Sequence, residues 1–113
     1  MLPRKYSLSG KKNFDAVMQK GRVFNTPYFR LKTLETGLKT SRFGIIISNK
    51  VSKKAVERNL LKRQISEIFR LNLDKIKLGI DIVVIVSPRM VGIPFSKINE
   101  QILWAMKTTK LIQ

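Results

Sequence analysis

A chain of 113 residues, 43% of them hydrophobic, supports one modest core and no second domain, so a single unit spanning 1–113 is expected. Its 23 Lys and Arg against 7 Asp and Glu leave a formal charge of +16, which repels itself in a compact fold and calls for a polyanionic partner; nucleic acid comes first, with an anionic membrane surface or plain solubility as the alternatives. With no Cys and no His, disulfides, thiolate nucleophiles, structural zinc and histidine acid–base chemistry are excluded.

The longest apolar run, 82–86, is far below the roughly 20 residues that span a bilayer. The N-terminal Met-Leu-Pro-Arg-Lys has no apolar signal region, so a soluble cytoplasmic protein is expected.

Along the chain, Ser7 or Ser9 is placed to cap a first helix that runs to about Lys20, with Phe14, Val17 and Met18 on one face and Gly21 as its stop. Residues 22–25 and 28–34 then alternate, Phe29, Leu31 and Thr33 facing one way and Arg30 and Lys32 the other, as in a half-exposed sheet. After a turn at Gly37, residues 42–48 carry Phe43 and the run Ile45, Ile46, Ile47, which predicts a buried central strand. A long helix over 53–73 follows, then a turn at Gly79 and an apolar strand over 80–86 that ends at Ser87 and Pro88. Residues 91–94 read as a loop, and Ile98, Ile102, Ala105 and Met106 recur at helical spacing up to about Thr108. The order helix, three strands, helix, strand, helix defines an α+β fold, a four-stranded sheet packed by helices, whose last strand is reached by a helical crossover.

The long helix segregates its charge. At 100° per residue, Arg58, Lys62, Ser66 and Arg70 form one stripe with Asn59 and Arg63 beside it. Val56, Leu60, Leu61, Ile65, Ile68 and Leu71 take most of the remaining circumference, and Glu57 and Glu67 fall outside the stripe. Lys50, Lys53 and Lys54 extend the strip into the preceding loop, where amides at the helix start favour phosphate. The alternative is an ordinary solvated face, although such faces usually mix signs for i,i+4 pairing.

The run Arg42-Phe43-Gly44-Ile45-Ile46-Ile47-Ser48-Asn49-Lys50, followed by Lys53-Lys54-Ala55-Val56-Glu57-Arg58-Asn59 and Lys62-Arg63, resembles the signature of the bacterial ribonuclease P protein family. Phe14, Asp15, Val17 and Gly21 extend the match toward the N-terminus, and the late apolar strand and amphipathic helix extend it toward the other end. The chain departs from the family where Leu60 replaces a frequent Arg, Asn49 a frequent Lys and Ser66 a common Arg, which puts the RNA footprint in question at three positions.

The resemblance implies a left-handed βαβ crossover, against the usual hand. It implies that Lys50, Lys53, Lys54, Arg58, Asn59, Lys62, Arg63, Ser66 and Arg70 face a catalytic RNA subunit, with one protein per RNA. It further implies that a cleft between the first helix and the sheet holds the single-stranded 5′ leader of precursor tRNA, at Phe14, Met18, Phe29, Leu31, Lys32, Ile46 and Ser48. Phe14, Phe29 and Leu31 read equally well as core, and partial exposure is what separates the two readings.

No catalytic residue is expected on the chain. Its acids, Asp15, Glu35, Glu57, Glu67, Asp74, Asp81 and Glu100, are scattered over separate elements, whereas a two-metal nuclease needs several converging carboxylates. No cofactor or metal is expected on the protein, and the resemblance assigns the cutting to magnesium ions held by the RNA. A ribosomal protein or general RNA chaperone shares the charge and fold class, and a membrane-surface or acidic-protein binder shares the charge alone.

Overall fold

The apolar run at 80–86 is the strand on which the rest of the molecule is assembled. A computed structural model describes residues 2–112 and gives, in order, α1 (Lys11–Lys20), β1 (Arg22–Asn25), β2 (Phe29–Glu35), β3 (Arg42–Ile46), α2 (Ala55–Leu71), β4 (Ile80–Val86) and α3 (Phe95–Thr108). The sheet order is β1-β2-β4-β3, with β1 and β4 antiparallel to β2, and β3 parallel to β4 through α2. This is the α+β order expected.

Register sorts the side chains onto two faces. Phe29, Leu31, Phe43, Ile45, Ile80, Ile82, Val84 and Val86 share one face and form the main core with Leu61, Ile65, Ile68 and Phe69 of α2 and Ile98, Ile102, Ala105 and Met106 of α3. Phe43 and Phe69 stack with ring centroids 4.5 Å apart. On the other face Val83 is buried beneath α1, with Val17 fully buried and Phe14, Met18, Leu34, Ile46 and Ile85 packed around it. Helices cover β4 from both sides, so it has no polar alternation apart from Asp81.

Three sequence expectations change. The strand at 42–48 is an edge strand that ends at Ile46, and the central position belongs to β4. Its isoleucine run is only half-buried; the outer edge is partly covered by the N-terminal segment, where Ser7 bridges to Phe43 and the Leu8 amide donates to the Phe43 carbonyl. That same bridge removes Ser7 from capping. Gly10 is the N-cap of α1 without a side-chain bond, while Ser9 contributes its carbonyl to the Asn13 amide nitrogen at 2.8 Å. The long helix is shorter than expected at both ends, with Lys54 as an N-cap that makes no side-chain bond.

Gly21 stops α1 as expected, for a steric reason. A Cβ there would stand 2.4 Å from the Val17 carbonyl oxygen and 2.9 Å from that of Thr33. Both obstacles are backbone and cannot yield.

Asp81 is the buried acid of the sheet. Arg42 on neighbouring β3 donates to it twice, Nε at 2.8 Å and Nη2 at 2.6 Å, and Asp81 is only 2% exposed. This hydrogen bonding raises the pKa of the Arg42 guanidinium further.

Candidate nucleic-acid interface

The segment between β3 and α2 is a pinned loop. Val51 is buried, its amide donates to the Ser48 carbonyl, and Ser48 Oγ accepts from the Lys50 amide. Ser52 Oγ accepts from the Lys54 amide and donates to Glu57 Oε1 at 2.6 Å, while Arg58 Nη1 donates to the Ser52 carbonyl at 2.8 Å. With the backbone anchored at Val51 and Ser52, Lys50, Lys53 and Lys54 are left exposed. A shallow hollow lined by Asn49, Lys50, Lys53 and Arg58 lies at the start of α2. The first-turn amides of α2 have no capping side chain, so the positive end of the helix opens toward these cations.

On α2 the six-residue stripe divides. Asn59, Lys62 and Arg63 are exposed and Arg58 is half-buried over the loop. Ser66, expected among the RNA contacts, is 4% exposed and is withdrawn from them. It borders a hollow that it shares with Leu2, Ser7 and Leu8 of the N-terminal segment and with Phe43 and Ile45 of β3. Arg70 is exposed but neutralised: Glu67 accepts from both Nε and Nη2 in an i,i+3 pair. That hydrogen bonding holds the Glu67 carboxyl below its usual range and raises Arg70. The strip is therefore cationic over its first two turns and balanced in its last. The outward side of α2 also carries exposed Val56, Leu60 and Leu71, which the helical pattern had placed in the apolar arc.

The cleft residues divide as well. Phe29 and Leu31 are 2% and 1% exposed and point into the main core on the opposite face of the sheet, so neither lines a cleft beside α1. Phe14, Met18, Lys32 and Ile46 do share the α1 face and are half-buried. Ser48 is exposed just beyond the end of β3. Lys32 is engaged, because its Nζ donates to the Met18 carbonyl at 2.9 Å and ties β2 to the last turns of α1.

Pairing shows what floors this cleft. One cross-strand row, Val23, Lys32, Val83 and Gly44, includes the sites that α1 covers with Met18, Val17 and Phe14. The adjacent row, Asn25, Arg30, Ile85 and Ile46, runs across all four strands with Asn25 and Arg30 exposed and both isoleucines half-buried. Arg30 Nε donates to Asn25 Oδ1 at 2.9 Å, which steadies the guanidinium. Sequence reasoning left Asn25, Arg30 and Ile85 out of the site; the alternation of Arg30 with Lys32 was the signal that held Arg30.

The carboxylates are mostly occupied. Asp81 is bound to Arg42, Glu67 to Arg70, Glu57 to Ser52 and Glu35 to Lys77, and among the described residues no three acidic side chains gather into a metal-binding group. Among the described residues no helix is long and apolar enough to cross a membrane.

These features define a small basic α+β protein that presents a cationic helix start on one side and a half-apolar, half-basic sheet cleft on another. The family model described as Ribonuclease P matches residues 2–110. The ribonuclease P protein component of Pseudanabaena is 42% identical over 88 residues, covering 77% of this chain and 76% of that one. In three dimensions the chain resembles the Staphylococcus aureus RNase P protein, with a TM-score of 0.88 at 27% identity over 96% of this chain and 98% of that one. It also resembles the RNase P protein from Thermotoga maritima, with a TM-score of 0.82 at 32% identity over 90% of this chain and 96% of that one. The chain belongs to the ribonuclease P protein family, the protein component of the ribonucleoprotein that processes tRNA 5′ ends. Its partner is accordingly ribonuclease P RNA.

Proposed function

We propose that the protein docks one copy per ribonuclease P RNA through the β3–α2 loop and the first turns of α2, and that the α1 cleft grips the 5′ leader of precursor tRNA. The observation that carries the docking is the run of exposed Lys50, Lys53, Lys54, Lys62 and Arg63 around an uncapped helix start. Backbone phosphates gain there from point charges, oriented amides and released counterions together.

Leader binding draws on the Asn25, Arg30, Ile85 and Ile46 row, with Phe14 and Met18 as its wall. Half-exposed apolar groups offer bases a surface, and Arg30 meets a phosphate. The row is sequence-tolerant in character, since it presents few directional groups.

Cleavage is assigned to the RNA subunit and its magnesium. The chain's own side chains do not fit a magnesium site, because Asp81, Glu67, Glu57 and Glu35 are each engaged by a different neighbour and no three acidic side chains converge among the described residues. The protein's contribution is to lower phosphate repulsion within the ribonucleoprotein and to add binding energy to leader-bearing substrate. A cytoplasmic location follows from that work.

Reconstitution with ribonuclease P RNA, with precursor tRNA cleavage followed against magnesium concentration, tests this reading. The expected result is that the protein lowers the magnesium requirement of the RNA, while the protein without the RNA cleaves no precursor. Absence of stimulation favours a general RNA-binding role instead.

A further inference from the structure

A cavity of about 620 Å³ opens around the β1 edge, lined by Phe24, Leu31 and Thr33 on the α3 side of the sheet and reaching Val23 and Leu34 on the α1 side. Arg22 and Phe24 of β1 lie on its wall in register with Thr33 and Leu31, and the C-terminal turn of α3 closes it with Thr108 and Lys110. Lys20, at the end of α1, and Lys77 reach the same space. The one acidic side chain lining it among the described residues, Glu35, is occupied by Lys77 at 3.4 Å. Lys20, Arg22 and Lys110 have no ion-pair partner among the described residues.

Two details go beyond a chance clustering of surface cations. Lys110 has φ +64, a left-handed conformation that glycine or asparagine usually fills after a helix, yet a lysine is held there by the Leu111 amide bonding back to Met106. Trp104, one turn before Thr108 on the same side of α3, rests on Phe24 at 5.5 Å between ring centroids and remains 50% exposed. Trp104 stands just outside the cavity's lining, tilted at 55° against Phe24 of its wall, so a half-exposed indole and the cavity's unpaired cations flank the same strand; an unpaired nucleotide needs both, a stacking surface and phosphate neutralisation. A second copy of this +16 chain would meet only repulsion from the same cations.

We propose that this edge is a second single-stranded RNA subsite, in which Trp104 stacks on one unpaired base and Lys20, Arg22 and Lys110 hold the flanking phosphates. Its lining shares no residue with the α2 docking face or with the open row Asn25, Arg30, Ile85 and Ile46, and it gives the protein a grip on a second unpaired RNA segment at the β1 edge.

Trp104 is the only tryptophan in the chain, so its fluorescence reports this location alone. Titrating the full chain with hexauridylate should quench it saturably, and inorganic phosphate should not reproduce the quenching. The double variant Arg22→Ala/Lys110→Ala, with unchanged circular dichroism, should weaken the quenching midpoint about tenfold, and Trp104→Ala should weaken anisotropy-measured binding of labelled hexauridylate by a similar factor. No quenching at saturating oligonucleotide, or quenching that survives the double variant unchanged, overturns the proposal. A Trp104 signal that changes with protein concentration and not with oligonucleotide also overturns it, and assigns the surface to contacts between copies. Because the readout is local to Trp104, any of these results leaves docking to ribonuclease P RNA to be judged on its own assay.

Discussion

The Phe14 ring of α1 lies directly over Gly44 of β3, so close that a Cβ at position 44 would stand 2.6 Å from both Cε1 and Cζ. The glycine is what lets α1 settle onto the sheet beside the open cross-strand row. Gly44→Ala must push the ring aside or lift the helix, and a destabilisation of about 1–3 kcal/mol is expected from overpacking. Urea denaturation of Gly44→Ala alone and combined with Phe14→Leu checks the cause. The smaller side chain should recover most of the loss, and equal loss in both would place the strain elsewhere.

Arg42 and Asp81 make a second coupled pair, in which a 2%-exposed carboxylate depends on one guanidinium. Arg42→Ala leaves that charge buried and should cost about 3 kcal/mol, the lower end for such a loss because solvent reaches the arginine side. Replacing both, as Arg42→Met with Asp81→Leu, should recover most of the stability by removing the stranded charge together with its partner. Denaturant midpoints of the two variants give the comparison.

The elements were legible in the sequence because each carries a periodic pattern, and the basic loop was legible because charge density needs no geometry. What the pattern could not show was which face of a strand a residue occupies once both faces are covered. Phe29 and Leu31 share with Phe14 only their apolar character, and it took the register with β4 to place them under α2 and α3. Ser66 was misplaced because a wheel shows the helix alone: the side chain is buried and borders a hollow shared with Leu2, Ser7 and Leu8, distant in sequence and without a helical or strand period of their own. Arg70 was counted as a free cation because a stripe drawn on a wheel ignores that a glutamate three residues away reaches around to it. The edge position of β3 was hidden for a similar reason: an isoleucine run reads as central whether or not a further strand pairs with it.

Glu67 restrains Arg70, and the sign of its pH dependence follows. Its folded pKa is depressed by hydrogen bonding from Arg70, so the pair is intact above the ordinary carboxylate range and is lost as pH falls through the lowered folded value. Acidification, or Glu67→Gln at neutral pH, frees the guanidinium. The variant should bind ribonuclease P RNA more tightly at low salt and show a steeper dependence on salt concentration. Filter binding across a salt series reads this directly; an unchanged slope would mean that the last turn of α2 stays clear of RNA.

Lys62 gives the cleanest test of the docking face, because it is exposed and makes no hydrogen bond or ion pair among the described residues. Lys62→Ala should lower the salt slope of RNA-subunit binding by about one unit per lost phosphate contact and leave the melting temperature unchanged. Arg58→Ala should lower both, since its guanidinium also holds the Ser52 carbonyl. A fall in melting temperature with Lys62→Ala would mean that the residue supports the fold.

Arg30 and Lys32 divide the work of the leader cleft. Lys32 spends its ammonium on the Met18 carbonyl, so Lys32→Ala should loosen α1 and weaken every cleft-dependent measurement through stability. Arg30 stands exposed in the open row beside Ile85, steadied only by Asn25. Arg30→Ala should leave the denaturation midpoint in place while lowering the affinity of the reconstituted ribonucleoprotein for leader-bearing precursor, about threefold to tenfold for one charge-assisted contact. Binding of mature tRNA, which has no leader to lay along the row, should change little. The ratio of the two affinities is the quantity to measure, because a general loss of charge lowers both together. If Arg30→Ala leaves that ratio fixed, the row Asn25, Arg30, Ile85 and Ile46 is not where the leader lies.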